Sequence, residues 1–175
     1  MEILKIWRHA ESGEEYLKSV IDYVLNDRKV LWQCYGVQVD HPTAIYQQMV
    51  VVSDFFGNHG KNQVFHFVIS FDKETVSNAF EAHLNAKKVF SHLLDDHLMI
   101  ISIHKENHVG SLYHAHILLS STNYLSGELW QIKFNNLFTI GQNVANITHN
   151  TCLLELPKFK GDAKPLTKMF FPKSY

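Results

Sequence analysis

The chain has 175 residues, a formal net charge of −1 and 46% hydrophobic residues, enough for one domain with a substantial core and too apolar for a disordered segment. The near-neutral balance argues against a binder held by charge alone, so a nucleic-acid partner would need a local patch. No apolar run approaches the roughly eighteen residues of a membrane span, and the opening MEILKIWRHAESGEE lacks the order of a signal peptide, which predicts a cytoplasmic protein.

In chain order, ILKIWRH (3–9) reads as a short strand. SGEEYLKSVIDYVLN reads as a helix, with Ser12 as N-cap, Glu15 at capping-box distance, and Tyr16, Val20, Tyr23 and Val24 at helical spacing. KVLWQCYGVQV (29–39) has the β-branched and aromatic content of a strand. HPTAIYQQMVVVSDFFG carries proline near its start and Gly57 at its end, the punctuation of a helix. QVFHFVISF (63–71) is the clearest strand, with Phe65, Phe67, Ile69 and Phe71 on one face and His66, Val68 and Ser70 on the other. DKETVSNAFEAHLNAKKVFSHLL (72–94) reads as a long helix carrying Val76, Phe80, Leu84 and Phe90. HLMIISIH and SLYHAHILLS read as a hairpin joined by the polar KENHVG. SGELWQIKFNNLFTIGQNVANITHN reads as a helix pair or one interrupted helix, and residues 151–175 as a basic, extended tail rich in Lys, Pro and Phe after a domain spanning 1–150. The pattern predicts an α+β fold, an antiparallel sheet of about five strands with helices mainly on one face. Cys34 and Cys152 read as buried thiols rather than a disulfide or metal ligands.

The excess is in histidine, twelve in all, the commonest metal ligand and the proton-transfer residue of neutral pH. Period-two geometry puts His114 and His116 on one strand face, with Ala115 and Ile117 on the other. His104 ends the preceding strand and can come alongside that pair, depending on register. His104, His114 and His116 would then suffice for a divalent metal site with open positions, and Glu106 could orient one of the rings. The alternative is an exposed hairpin whose histidines face solvent, as His108 in the loop is expected to do.

These segments, taken in order, resemble the conjugative relaxase (plasmid mobilisation) nucleases of the HUH endonuclease superfamily. The resemblance rests on VFHFVISF, then IISIHKENHVGSLYHAHILLSSTNYLSGELW, with LKSVIDYVLNDRKV upstream in the position of the family's tyrosine segment. AIYQQMVVVSDFFGNHGKNQVFHF matches the helix and loop leading to the serine strand, so the likeness runs over roughly residues 14–146. The family pattern is a His-x-x-x-Ser-Phe strand, His-x-Asp/Glu, then His-x-His. Two departures stand out. Ser120 occupies the usual asparagine position, and the long spacing from His104 to His114 requires the hairpin loop to bulge.

The resemblance implies metal-dependent nicking and joining of single-stranded DNA through a 5′-phosphotyrosine, at an origin-of-transfer-like site in plasmid or mobile-element transfer. It implies Mg²⁺ or Mn²⁺ on His104, His114 and His116, Tyr23 as nucleophile, Glu106 as the orienter of a histidine, and Ser70 and His66 as DNA contacts. Other transfer proteins would be further partners. Each residue has a plainer alternative. Tyr23 sits at core-like spacing with Tyr16 as the second candidate nucleophile, His66 alternates with core aromatics, and Ser70 could simply end a strand. Two rival functions remain open: a relaxase-like accessory module with weakened catalysis, and a metal hydrolase unrelated to DNA.

Overall fold

The computed structural model describes residues 1–7, 14–38, 41–108, 111–156 and 168–172, with the backbone alone at 14 and 106–108. Ser12, the expected N-cap, lies outside the described residues, as do 157–167 and 173–175 of the expected tail. The strands are β1 (Glu2–Trp7), β2 (Lys29–Tyr35), β3 (Val64–Ser70), β4 (His97–His108), β5 (Ser111–Asn123), β6 (Cys152–Glu155) and β7 (Lys168–Phe171). The helices are α1 (Glu14–Val24), α2 (Pro42–Phe55), α3 (Ala79–Val89) and α4 (Phe134–Thr148).

All described strands join one sheet in the order β2-β4-β5-β3-β1-β6-β7, antiparallel except for the β1–β6 pair. The α+β antiparallel architecture is as expected, but the sheet has 7 strands rather than about five. Part of the segment read as a tail supplies β6 and β7. Cys152 is buried on β6 as expected, whereas Cys34 is only half-buried on the edge strand β2, with β4, β5, β3 and β1 between them.

Helices cover both faces, where one face was expected to carry most of them. The reason lies in the central strands, which are apolar on both sides. Met99, Ile101, Ile103, Ala115, Ile117 and Leu119 pack with α3 and α4. Leu98, Ile100 and Leu118 pack instead with Leu17, Val20, Ile21 and Val24 of α1 and Ile45 and Met49 of α2. Each such buried aliphatic side chain contributes roughly 1.5–3 kcal/mol as an upper bound, so the stripe on α1 fixes that helix firmly on the sheet.

The third helix is shorter than its sequence pattern suggests. Asn78 caps it by accepting from the Glu81 N–H, while the Glu81 carboxylate accepts from Ser77. Starting the helix there turns Ala82, His83, Ala86 and Val89 inward and leaves Phe80 and Leu84 exposed.

β7 is seated by close packing. Phe171 is buried against α4 at Gly141, where an added Cβ would stand 2.3 Å from the Phe171 ring. Gly141→Leu is therefore expected to cost about 1–3 kcal/mol and to lower the thermal midpoint. An unchanged midpoint would show that β7 does not depend on this contact.

Candidate active site

Register builds the site on the face that α1 and α2 only partly cover. One lateral row runs Ile3, Ser70, His114, His104 and Lys29 across β1, β3, β5, β4 and β2. The next runs Lys5, Val68, His116, Ser102 and Trp32, and the third runs Trp7, His66, Leu118, Ile100 and Cys34. His104 thus lies directly opposite His114 rather than merely near it. The pairing shifts between Lys105 and His108, so the extra residues of the hairpin are taken up as an irregularity at its tip. Glu106 belongs to β4 by its backbone, but its side chain lies outside the described residues.

His104, His114 and His116 converge. Each offers a ring nitrogen, and these atoms all lie within 4.8 Å of one another. Ring centroids are 4.4 Å apart for His104–His116, 4.7 Å for His114–His116 and 5.3 Å for His104–His114. All are buried. The Nε2–H of His104 donates to the Val24 carbonyl at 2.8 Å, which fixes the tautomer and places the ring's lone pair on Nδ1. The Nε2 of His116 is buried with no hydrogen-bond partner. A set of neutral imidazoles, one tied from behind to a carbonyl and one with a buried, unmatched nitrogen, fits a divalent cation.

The Val24 carbonyl belongs to the last turn of α1, where helix carbonyls lack intrahelical partners. Besides His104 it accepts from the Ser102 hydroxyl at 2.6 Å. The helix end is thereby tied to the histidine row, and Tyr23 comes with it. The Tyr23 ring stands edge-on to His116 at 5.5 Å and to His66 at 6.1 Å, and the residue is 40% exposed. Tyr16, by contrast, packs half-buried against the α1–α2 core, and burial holds its phenol well above the usual range. Of the two tyrosines, Tyr23 alone contacts the histidines in these ring pairs.

The sequence reading missed several neighbours. The Arg28 guanidinium lies 5.4 Å from the centre of the Tyr23 ring, in a turn where its backbone N–H donates to Asn26. Trp7, 48% exposed, stacks on His66 at 6.0 Å and 28°. Ser102 was detectable, because it alternates with His104 on one strand face. Trp7 was not, because only the β1–β3 pairing brings it beside His66. Ser70 lies partly exposed next to His114, whereas His66 is 1% exposed and hydrogen-bonded to His116 at 2.8 Å.

Burial holds His83, His97 and His116 below their ordinary value of 6.5. For His116 the neighbouring His66, His114, His104 and Arg28 add to that burial effect. In the unfolded chain such groups titrate near 6.5. Below that pH the unfolded state therefore takes up protons that the folded state refuses. Stability is full above about 6.5 and declines as pH falls. The metal-free protein is expected to melt at a lower temperature at pH 5.5 than at pH 7.5, and a midpoint that stays level or rises on acidification would contradict this.

A family sequence model described as "Relaxase: MobA/VirD2-like, nuclease domain" matches residues 23–153. The matched span opens on Tyr23 and contains His66, Ser70, His104, His114 and His116. No curated protein and no solved structure matches the chain.

Proposed function

Because the chain belongs to the family of MobA/VirD2-like relaxase nuclease domains, which nick DNA in plasmid mobilisation, we propose that it is an HUH-type enzyme that cuts and rejoins single-stranded DNA through a phosphotyrosine on Tyr23. The observation that carries this reading is the convergence of His104, His114 and His116 with the Tyr23 ring edge-on to His116.

His104, His114 and His116 would hold Mg²⁺ or Mn²⁺, which when bound polarises a phosphoryl oxygen and stabilises the charge that develops there. Tyr23 Oη attacks the scissile phosphorus. The P–O3′ bond breaks, the phosphate stays on the tyrosine joined to the 5′ oxygen of the downstream strand, and the departing 3′ oxygen of the upstream strand ends as a hydroxyl carrying the proton lost by the phenol. Attack by a 3′ hydroxyl reverses the exchange and rejoins the strand. The Arg28 guanidinium stands beside the Tyr23 ring, where its fixed positive charge would draw in the anionic phosphate that the tyrosine attacks. Glu106 keeps its proposed role as orienter of a histidine, and Ser70, next to His114 in register, would donate to a phosphate oxygen.

On β1, the exposed Trp7 stacks on His66 in the third register row, and an exposed indole is a stacking platform for an unpaired base. Trp7→Ala is expected to weaken single-stranded DNA binding by about 5- to 150-fold, the equivalent of one base stack of roughly 1–3 kcal/mol. Fluorescence anisotropy in EDTA reads this directly, and unaltered affinity would remove Trp7 from the DNA path.

The activity itself is tested with a 3′-end-labelled single-stranded oligonucleotide pool and Mn²⁺. The expected result is label carried on the protein through a denaturing gel and absent in EDTA. Labelled fragments without adduct would point to a metal hydrolase. Binding without cleavage would point to an accessory module.

A further inference from the structure

His66 was expected to touch DNA, yet its environment suits another task. It is 1% exposed, and its Nε2 lies 2.8 Å from Nδ1 of His116, itself 3% exposed. In register His66 faces Leu118, and His116 faces Val68, so the contact is a diagonal one along the sheet face. The His66 ring is held between the stacked Trp7 and the edge of Tyr23, which fixes its plane.

We propose that His66 is a positioning residue that accepts the Nδ1–H of His116 and so turns the Nε2 lone pair of His116 toward His104 and His114. The inference rests on the reading of those histidines as a metal site. A neutral imidazole carries one N–H, and the 2.8 Å contact needs one proton between the two rings. Were that proton on His66, the N–H of His116 would sit at Nε2 and occupy the position that faces His104 and His114, where a cation would bind. With the proton on His116 Nδ1, only a lone pair remains at Nε2, which is what a cation requires. Ligating histidines commonly donate their second N–H to a carboxylate, carbonyl or water. An imidazole in that place is neutral, so it orients the ring without offsetting the positive charge available to an anionic phosphate.

The test compares His66→Gln, whose amide oxygen reaches about as far as Nε2, with His66→Asn, whose amide falls short. Mn²⁺ affinity of each metal-free protein is measured by titration calorimetry, and single-stranded DNA affinity in EDTA by anisotropy. His66→Asn is expected to weaken Mn²⁺ binding by about 10- to 100-fold, while His66→Gln stays near wild type and both bind DNA normally in EDTA. Wild-type Mn²⁺ affinity in His66→Asn overturns the proposal. So does an equal loss in His66→Gln, or a loss of DNA affinity with Mn²⁺ binding intact. If the wild-type protein itself binds no Mn²⁺, the metal-site reading falls and the proposal falls with it.

Discussion

Tyr23→Phe is expected to abolish the covalent protein–DNA adduct, a loss of at least about a thousandfold, while leaving single-stranded DNA binding close to wild type. The substitution removes the oxygen proposed to attack phosphorus and little else. The ring remains to meet His116 at 5.5 Å and Arg28 at 5.4 Å. Tyr16→Phe serves as the internal comparison. Tyr16 is packed on the α1–α2 core, with its phenol held high by burial, so its loss should leave adduct formation intact. Adduct formation by Tyr23→Phe, or its loss in Tyr16→Phe alone, would reassign the nucleophile.

His116→Ala is expected to weaken Mn²⁺ binding by at least about a hundredfold and to eliminate nicking with it. Alanine removes a proposed ligand nitrogen, Nε2, that is buried and without a hydrogen-bond partner, together with the 2.8 Å contact of Nδ1 with His66. It strips no bond from the helix that carries Tyr23. His104→Ala differs in a way that can be measured. It also removes the 2.8 Å bond to the Val24 carbonyl, leaving the Ser102 hydroxyl on that carbonyl. It should therefore lose metal affinity and also untie the end of α1, at a cost of roughly 0.5–1.5 kcal/mol for a typical hydrogen bond. Calorimetric titration of the two variants reads metal affinity and thermal unfolding the bond each has lost, and metal affinity untouched in both would remove the histidines from metal binding.

Much of the site is legible in the amino-acid sequence. Alternation alone puts His114 and His116 on one face, and the hairpin makes His104 their partner. The family likeness then supplies Tyr23, from a segment distant in sequence. What stays hidden depends on non-local pairing. The diagonal His66–His116 bond follows from the β3–β5 register, and Trp7 reaches His66 only through β1–β3. The docking of α1 through Val24 onto Ser102 and His104 leaves no local signature in either segment. In the fold, LMIISI is apolar at every position but one, so period two cannot tell that both of its faces are covered. Phe80 and Leu84 fit a helical stripe until the Asn78 cap sets where the helix starts. β6 and β7 are short and lie in a lysine- and proline-rich context, which composition assigns to a tail.

The central claim is that one metal ion and one tyrosine share this face. Anomalous diffraction from crystals grown with Mn²⁺ tests it most directly. The account predicts one strong peak within bonding distance of His104 Nδ1, His116 Nε2 and a ring nitrogen of His114, beside Tyr23. A peak at any other set of residues, or a triad that stays empty at saturating Mn²⁺, would contradict it.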